Sequence, residues 1–179
     1  FGDHFRRDVM DRFAKGYASG QTPNPCLDCN RYIKFDHLLA LARSLGMDYI
    51  ATGHYARIQY NESTGRWQLF KAADLSKDQS YVLYTLTQDT LAHTLFPLGG
   101  MTKAEVRELA QEHNLVNAQK PDSQDICFVP NGDYAEFLAR NYGLTDRPGN
   151  FVDKEGNVLG RHRGIIHYTI GQRKGLGIS

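Results

Sequence analysis

The sequence predicts an α/β fold over most of its length and a small β-rich unit at its end. An amphipathic helical pattern, HLLALARSLG, closes at Gly46, and the apolar run from Tyr49 to Thr52 that follows indicates a buried strand. Gly53 stands at the carboxyl end of this strand, where ligands bind in open α/β sheets. From Pro148 onward, many glycines separate short apolar runs, which is typical of short strands joined by turns.

The first element is predicted to be a helix. Phe5, Val9, Phe13 and Tyr17 recur at every fourth position and therefore share one face, and Gly20 follows as a stop signal.

The next segment, QTPNPCLDCN, is predicted to be a loop of fixed shape. Pro23 and Pro25 push Thr22 and Asn24 into extended geometry, so the first helix cannot continue through them. Asp36 is then a suitable N-cap for the second helix.

Later segments predict a hairpin and further helices. ARIQYNESTGRWQLFKAA has two apolar runs around a polar turn, which indicates a β-hairpin. A polar turn, Ser76 to Gln79, precedes a stretch that we expect to be mostly helical as far as Pro97. Thr102 and Glu105 have the spacing of a capping box for the next helix, and another helix is predicted from Asp133 to Tyr142.

Composition narrows the class of protein. The chain has 179 residues, of which 41% are apolar and 23% charged, as in soluble globular proteins. Its net charge of +1 does not decide whether the chain binds nucleic acid, because a binding face can be basic while the total charge is near zero. Three cysteines are too few for the disulfide framework of a secreted protein, so we expect a cytoplasmic location. We expect no membrane association, because no apolar run approaches the roughly 20 residues of a membrane helix.

Cys26 and Cys29 form a C-x-x-C pair that is compatible with several chemistries. Structural zinc needs about four ligands, and the chain has no second C-x-x-C. A thioredoxin-like pair normally begins a helix after a strand, whereas here a helix precedes the pair. An iron–sulfur site of Cys26, Cys29 and Cys127 is stoichiometrically possible. In the remaining chemistry, sulfur transfer, one thiol carries a persulfide and a second, distant thiol attacks or resolves it.

Other candidate residues also have simple interpretations. Cys127, between Ile126 and Phe128, fits a short buried strand as well as a reactive thiol. His54 is compatible with a strand-end polar residue, a proton carrier or a nucleic-acid contact, and Lys77 to Gln79 with a solvated turn.

Six segments occur together in an order that matches one known family. They are TPNPCLDCNRYIKFD, YIATGHYAR, SKDQSYVLYTL, LFPLGGMTKAEVRELA, KPDSQDICFV and HYTIGQRKGLGI, and they run from about Gly20 to the end of the chain. On these motifs, the chain resembles the tRNA-specific 2-thiouridylases called MnmA.

The resemblance implies a fold and an activity. The fold would be an adenine-nucleotide-α-hydrolase-like (PP-loop) doubly wound α/β domain, present in part over residues 1–129. A linking helix over 130–147 and the start of a central β-rich tRNA-binding domain over 148–179 would follow. The enzyme would be a tRNA uridine 2-sulfurtransferase. ATP, with Mg²⁺, would adenylate the wobble uridine of tRNAs for Lys, Glu and Gln, and a persulfide sulfur from a sulfur-donor protein would displace AMP.

The resemblance also implies roles for individual residues. Cys127 would carry the persulfide and Cys29 would be the catalytic nucleophile, with a transient Cys29–Cys127 disulfide. Gly53 would contact ATP. The residues that would contact tRNA or its target base are Asn24, Pro25, Cys26, His54, Lys77, Asp78 and Gln79.

The sequence departs from the family pattern in two ways. Many members carry Asp where this chain has Cys26, so this thiol is a bystander, a second resolving thiol, or a ligand of a [4Fe-4S] cluster in an iron–sulfur-dependent thiolase. The ATP loop, SGG-x-DS, and the C-terminal barrel are missing from the sequence, so we expect a fragment that cannot adenylate tRNA alone. The non-enzymatic alternative is a metal-stabilised RNA-binding module.

Overall fold

The computed structural model describes residues 1–120, 125–129 and 132–178. The chain forms two compact units. The central unit comprises Phe1 and Cys26–Asp122, and the terminal unit comprises Gly2–Pro25 and Ser123–Ser179. Residues 2–25 are therefore in the same compact unit as the C-terminal part of the chain. The domain predicted over residues 1–129 instead groups them with the central part.

Helix α1 covers residues 2–18 of the terminal unit. It consists of three consecutive segments, Gly2–Phe5, Arg6–Met10 and Asp11–Ala18. The middle segment is a π-helical turn, in which the Asp11 N–H donates to the Arg6 carbonyl five residues back.

The predicted apolar face of α1 is confirmed. Val9, Phe13 and Tyr17 are buried in the terminal unit. The helix is followed by Gly20 at φ +76°, a left-handed conformation that strains a residue with a Cβ, so the predicted stop signal is also confirmed.

Helix α2 covers residues 25–44, and its start corrects the predicted loop. Its segments are Pro25–Asp28, Cys29–His37 and Leu38–Ser44. Pro25 occupies the first helical position, where a missing N–H loses no helical hydrogen bond. Both cysteines of the C-x-x-C pair therefore lie on a helix, and Asp36 lies inside this helix rather than at its N-cap.

The described strands of the central unit form two small pairs. Strand β1, Ile50–Ala51, is shorter than predicted and pairs in parallel with β4, Thr94–Leu95. Strands β2, Ala56–Asn61, and β3, Arg66–Lys71, form the predicted antiparallel hairpin. Parallel strands joined through helical segments are the connection expected in an α/β fold.

The segment between β3 and β4 is less helical than predicted. It contains two 3₁₀ turns, Leu75–Lys77 and Ser80–Val82, before the short helix α3, Gln88–Ala92. The carboxylates of Asp74 and Asp78 accept the N–H groups of Ser76 and Ser80, respectively. Such local bonds offer the backbone an alternative to a continuous helix.

Helix α4, Lys103–Glu112, begins with the predicted capping box. The Thr102 hydroxyl accepts the Glu105 N–H, and the Glu105 carboxylate accepts the Thr102 N–H.

One apolar core joins α2, β1, β2 and the Ser80–Val82 turn of the central unit. Its buried members are Phe35, Leu39, Ala42, Ile50, Ala56, Val82 and Leu83. This core fixes the C-terminal half of α2 against β1 and the segments that follow it.

The terminal unit has its own core and strands. The helix predicted from Asp133 to Tyr142 is observed as α5, Tyr134–Tyr142, with Asp133 as its N-cap. Strand β5, Gly149–Val152, pairs antiparallel with β6, Val158–His162. The predicted β-rich segment from Pro148 is thereby confirmed. The buried residues of this core are Phe13, Ala14, Tyr17, Val129, Phe137, Leu138 and Ile166.

The predicted strand around Cys127 is wrong. Cys127 is exposed in a turn that the Val129 N–H closes by donating to the Ile126 carbonyl, 2.9 Å away. Phe128 contacts the rings of Phe13 and Phe137, so the flanking apolar residues fill the core while the thiol does not.

Among the described residues, no helix combines the length and the apolar character needed to cross a membrane.

Candidate active site

Cys26 and Cys29 lie in the first turns of α2. Cys26 is exposed, Cys29 is half-buried, and both are thiols rather than disulfides. The N–H groups of a first helical turn lack helical acceptors and favour negative charge nearby, which includes a thiolate. The loop predicted for this segment is therefore wrong at the cysteines, whereas the expectation that a helix precedes the pair is confirmed.

Cys29 is also the first residue of a π-helical segment, Cys29–His37. The Leu38 N–H that closes this segment donates to the Ile33 carbonyl, five residues back. Wider turns of this kind occur often at functional sites, and they were not predicted from the sequence.

Asn30, which follows Cys29, anchors this part of α2. Its side chain is almost completely buried, and its amide nitrogen donates to the Val82 carbonyl at 3.1 Å. Its amide oxygen lies 3.1 Å from His54 Nε2. Sequence reasoning did not single out Asn30. Asn30 ends the segment predicted to be a loop, where asparagine is common, so the sequence offered no signal for this role.

The hydrogen bonds of Asn30 determine the tautomer of His54. Because the amide nitrogen of Asn30 donates to Val82, its oxygen faces His54 and accepts a hydrogen bond from Nε2–H. His54 Nδ1 is then unprotonated and accepts the hydroxyl proton of Thr52 at 2.7 Å.

The surroundings of His54 keep it neutral. The imidazole is buried, with the rings of Phe35 and Phe96 at 5.8 and 5.7 Å between centroids. Burial, and secondly the Lys34 ammonium 3.3 Å from Nε2, lower the pKa of His54 to about 4. His54 therefore carries no charge near neutral pH.

The turn at Lys77 to Gln79 is held by its own side chains. The Asp78 carboxylate accepts the Ala72 N–H at 2.9 Å and the Ser80 hydroxyl at 2.7 Å. Burial opposes the charge, but these bonds hold the pKa of Asp78 below its ordinary value. Lys77, at the end of the preceding 3₁₀ turn, is half-buried.

Gln79 joins this turn to the residue after His54. The Gln79 N–H donates to the Tyr55 carbonyl at 2.8 Å, and the Gln79 side-chain oxygen accepts the Tyr55 N–H at 3.0 Å. Together with the bond from Asn30 to Val82, these contacts connect the CN, GHYAR and KDQS motifs through direct hydrogen bonds within the central unit.

Gly53 leaves the backbone open at the end of β1. It is exposed, and a Cβ placed there would meet only a Leu98 methyl group, at an ordinary 3.6 Å. No packing requirement explains the glycine, and the open backbone fits the close approach of a ligand such as a nucleotide.

The other candidate residues lie in the terminal unit. Asn24 is exposed and Pro25 is buried, directly before the C-x-x-C pair. Cys127 is exposed in its turn. Part of the KPDSQDICFV motif, residues 121–124, lies outside the described residues, and the Cys29–Cys127 disulfide stays a prediction.

Two protein-family models match consecutive parts of the chain. A family model described as the tRNA methyl transferase HUP domain matches residues 1–131. The chain belongs to this family. A second model, the tRNA methyl transferase PRC-barrel domain, matches residues 135–179.

Curated relatives of this tRNA methyl transferase family are similar over the whole chain. Proteins named tRNA-specific 2-thiouridylase MnmA are 59% identical in Carboxydothermus hydrogenoformans, 57% in Lachnoclostridium phytofermentans and 55% in Moorella thermoacetica. Each match covers 100% of this chain and 49%, 50% and 50% of the respective relative. The chain thus spans about half the length of the curated relatives it matches.

Membership of the HUP-domain family confirms two predictions. The resemblance drawn from the six motifs is confirmed by these relatives, and the α/β class is confirmed by the HUP-domain match and by the parallel β1–β4 pair.

Proposed function

We propose that this chain supplies the reacting thiols of a tRNA uridine 2-sulfurtransferase. The observation that carries the proposal is the placement of Cys29, a half-buried thiol in the first turns of α2 beside the buried anchor Asn30. An accessible helix start favours the thiolate, which is the form that attacks sulfur. The names of the similar relatives, and the exposed second thiol of Cys127, support the same chemistry.

The reaction balances with two cysteines. ATP activates the uridine O2 as an adenylate and releases pyrophosphate. The terminal sulfur of a Cys127 persulfide attacks C2 and expels AMP, which leaves uridine C2 joined to Cys127 through a disulfide. The Cys29 thiolate then attacks Cys127 Sγ, and the 2-thiouridine leaves with the electron pair of the broken S–S bond. A dithiol reductant must later reduce the resulting Cys29–Cys127 disulfide, and a sulfur-donor protein must reload Cys127.

The proposed substrate contacts differ in exposure, and their roles come from the resemblance to the MnmA proteins. Asn24, Pro25 and Cys26 form the Pro-braced approach to Cys29, which suits a flipped base because few of its bonds can rotate. Gly53 is proposed as the contact to ATP, which binds with Mg²⁺, and Lys77 as a contact to tRNA phosphate. His54, Asp78 and Gln79 already bond within the protein, so their proposed contribution to tRNA binding includes holding this surface in shape.

Cysteine variants of the full-length protein test the proposal. We expect Cys29→Ser and Cys127→Ser each to abolish 2-thiouridine formation, because each removes one of the two reacting sulfurs, while the circular dichroism spectrum stays unchanged. Cys26→Ser is the matched comparison on the same helix and should lower activity more mildly, because its thiol is not one of the two reacting sulfurs. The measurement is 2-thiouridine content by mass spectrometry of digested tRNA. Normal thiolation by either Cys29→Ser or Cys127→Ser would rule the mechanism out.

The position of C-x-x-C at a helix start favours a second candidate, in which Cys26 and Cys29 act together. They would exchange disulfides with each other, or bind a [4Fe-4S] cluster with Cys127. Mass mapping of an oxidised sample separates a Cys26–Cys29 bond from the proposed Cys29–Cys127 bond. Stoichiometric iron, together with complete loss of activity in Cys26→Ser, would favour the cluster.

A further inference from the structure

We propose that His54 is a positioning residue for Cys29, acting through the side chain of Asn30. The proposal rests on the proposed function only for the role of Cys29 as the nucleophile. In this proposal, His54 acts through hydrogen bonds within the protein and not through contact with tRNA.

The bonds of Asn30 fix the rotation of α2 next to Cys29. The amide nitrogen of Asn30 donates to Val82, and its oxygen accepts from His54 Nε2, so both ends of the amide are held by groups outside α2. Turning the helix about its axis at this point would break two buried hydrogen bonds, and the groups left behind would lack partners. Cys29 directly precedes Asn30 on the helix. Fixing the Asn30 side chain therefore also fixes the direction in which the Cys29 thiol points.

The π-helical geometry brings three residues of α2 to the same imidazole. Asn30, Lys34 and Phe35 lie four and five positions apart, and all three contact or approach His54. One turn of a π-helix spans more than four residues, so these positions face the same side. The widened segment that begins at Cys29 is thus the part of α2 built around His54.

His54 is suited to holding Asn30 because both of its ring nitrogens are used. Nε2 donates to Asn30 and Nδ1 accepts from Thr52, which fixes the ring in one tautomer. If Lys34 instead donated to Nε2, the Asn30 oxygen would face a lone pair at 3.1 Å, so the donating tautomer is preferred. The imidazole is 7% exposed, which leaves little surface for contact with RNA.

Two substitutions of His54 in the full-length protein separate positioning from RNA contact. In His54→Gln, the side-chain amide nitrogen lies near the former Nε2 and can still donate to Asn30. In His54→Asn, the shorter side chain reaches only the former Nδ1 position and leaves the Asn30 oxygen without a donor. His113→Gln, at an exposed histidine of the same unit, is the matched control.

Three measurements are made on each variant. The first is the rate at which iodoacetamide alkylates Cys29 relative to Cys26, read from peptide masses without tRNA. The second is the single-turnover thiolation rate, and the third is the Kd for tRNA. We expect His54→Asn to raise the relative alkylation of Cys29 by roughly 5- to 30-fold, because the turn opens when a buried hydrogen bond is lost. The thiolation rate should fall by a similar factor at an unchanged Kd. His54→Gln should keep the relative alkylation of Cys29 near the wild-type value, and His113→Gln should behave like the wild type.

Different results would overturn the proposal. Equal weakening of tRNA binding by His54→Asn and His54→Gln, with unchanged alkylation, would make His54 an RNA contact. Equally faster alkylation of Cys26 and Cys29 would show general loosening. If His54→Asn does not fold, Thr52→Ala replaces it, since it removes only the Nδ1 partner and should raise Cys29 alkylation more weakly. Because alkylation needs no tRNA, it decides the positioning role even if Cys29→Ser were to retain thiolation.

Discussion

His54 makes the stability of the central unit dependent on pH. Placing a charge in a buried position is unfavourable unless it gains a partner of opposite charge, and the charge nearest to His54 is the Lys34 ammonium. The folded protein therefore binds a proton at His54 only near pH 4, whereas an ordinary histidine does so near 6.5.

The sign of this pH dependence can be worked out. Between pH 6.5 and 4, the unfolded chain carries a proton on His54 and the folded chain does not, so acidification favours unfolding. We expect the free energy of unfolding to fall by about 3 kcal/mol as the pH is lowered through this window. The measurement is urea unfolding at a series of pH values for the wild type and His54→Gln, which lacks the titrating ring. His113→Gln serves as the control and should retain the wild-type slope, and a wild-type slope in His54→Gln would contradict the assignment.

At the scale of elements, neighbouring residues of the KDQS turn have different roles: two hold its shape and one is proposed to contact RNA. Asp78 accepts bonds from Ala72 and Ser80, while Gln79 pairs with Tyr55, so both shape the turn. Lys77 is the residue of this turn whose charge can meet a phosphate. Substitutions in this turn should therefore affect stability and RNA binding separately, depending on which residue is changed.

Substitutions in this turn test the division. Asp78→Ala leaves the Ala72 N–H without its acceptor, and we expect it to lower the free energy of unfolding by about 1–3 kcal/mol. Lys77→Ala should lower thermal stability less than Asp78→Ala does, weaken tRNA binding, and reduce the slope of log K against log salt by about 1. The measurements are thermal unfolding and tRNA binding at several salt concentrations. Equal loss of stability in both variants, or an unchanged salt slope in Lys77→Ala, would contradict the division.

The sequence predicted elements well where the pattern was local. The apolar spacing of α1, the capping box at Thr102 and the stop at Gly20 each depend on residues within a few positions, and all are observed. The start of α2 was missed because Pro25 was interpreted as a breaker, although proline fits the first helical turn.

The candidate site was harder to predict than the elements, because its bonds join distant parts of the chain. The thiols and the motifs around them were visible in the sequence. The link from Asn30 to Val82 spans 52 positions and that from His54 to Asn30 spans 24, and no local pattern encodes such pairings. The same holds for Cys127, whose apolar neighbours indicated burial while the turn exposes the thiol.

At the scale of the whole molecule, the two units have separate cores built from different parts of the chain. The core around Leu83 uses residues between 35 and 83, whereas the core around Leu138 combines helix α1 with residues from 129 onward. Leu83 and Leu138 are both completely buried leucines. The two proposed reacting thiols are thus supported by different cores, Cys29 by the first and Cys127 by the second.

A matched pair of core substitutions tests whether each unit unfolds as a cooperative piece. Leu83→Ala and Leu138→Ala each leave a cavity, and we expect each to cost about 2–5 kcal/mol in the unit that contains it. Hydrogen exchange followed by mass spectrometry should show faster exchange mainly in residues 30–42 and 50–56 for Leu83→Ala. For Leu138→Ala, faster exchange should appear in residues 9–17 together with 134–142, which are remote in sequence but share one core. Equal acceleration of hydrogen exchange in both sets of residues by either variant would contradict this prediction. The chain would then unfold as a single piece, and loss of one core would unfold the residues around both thiols.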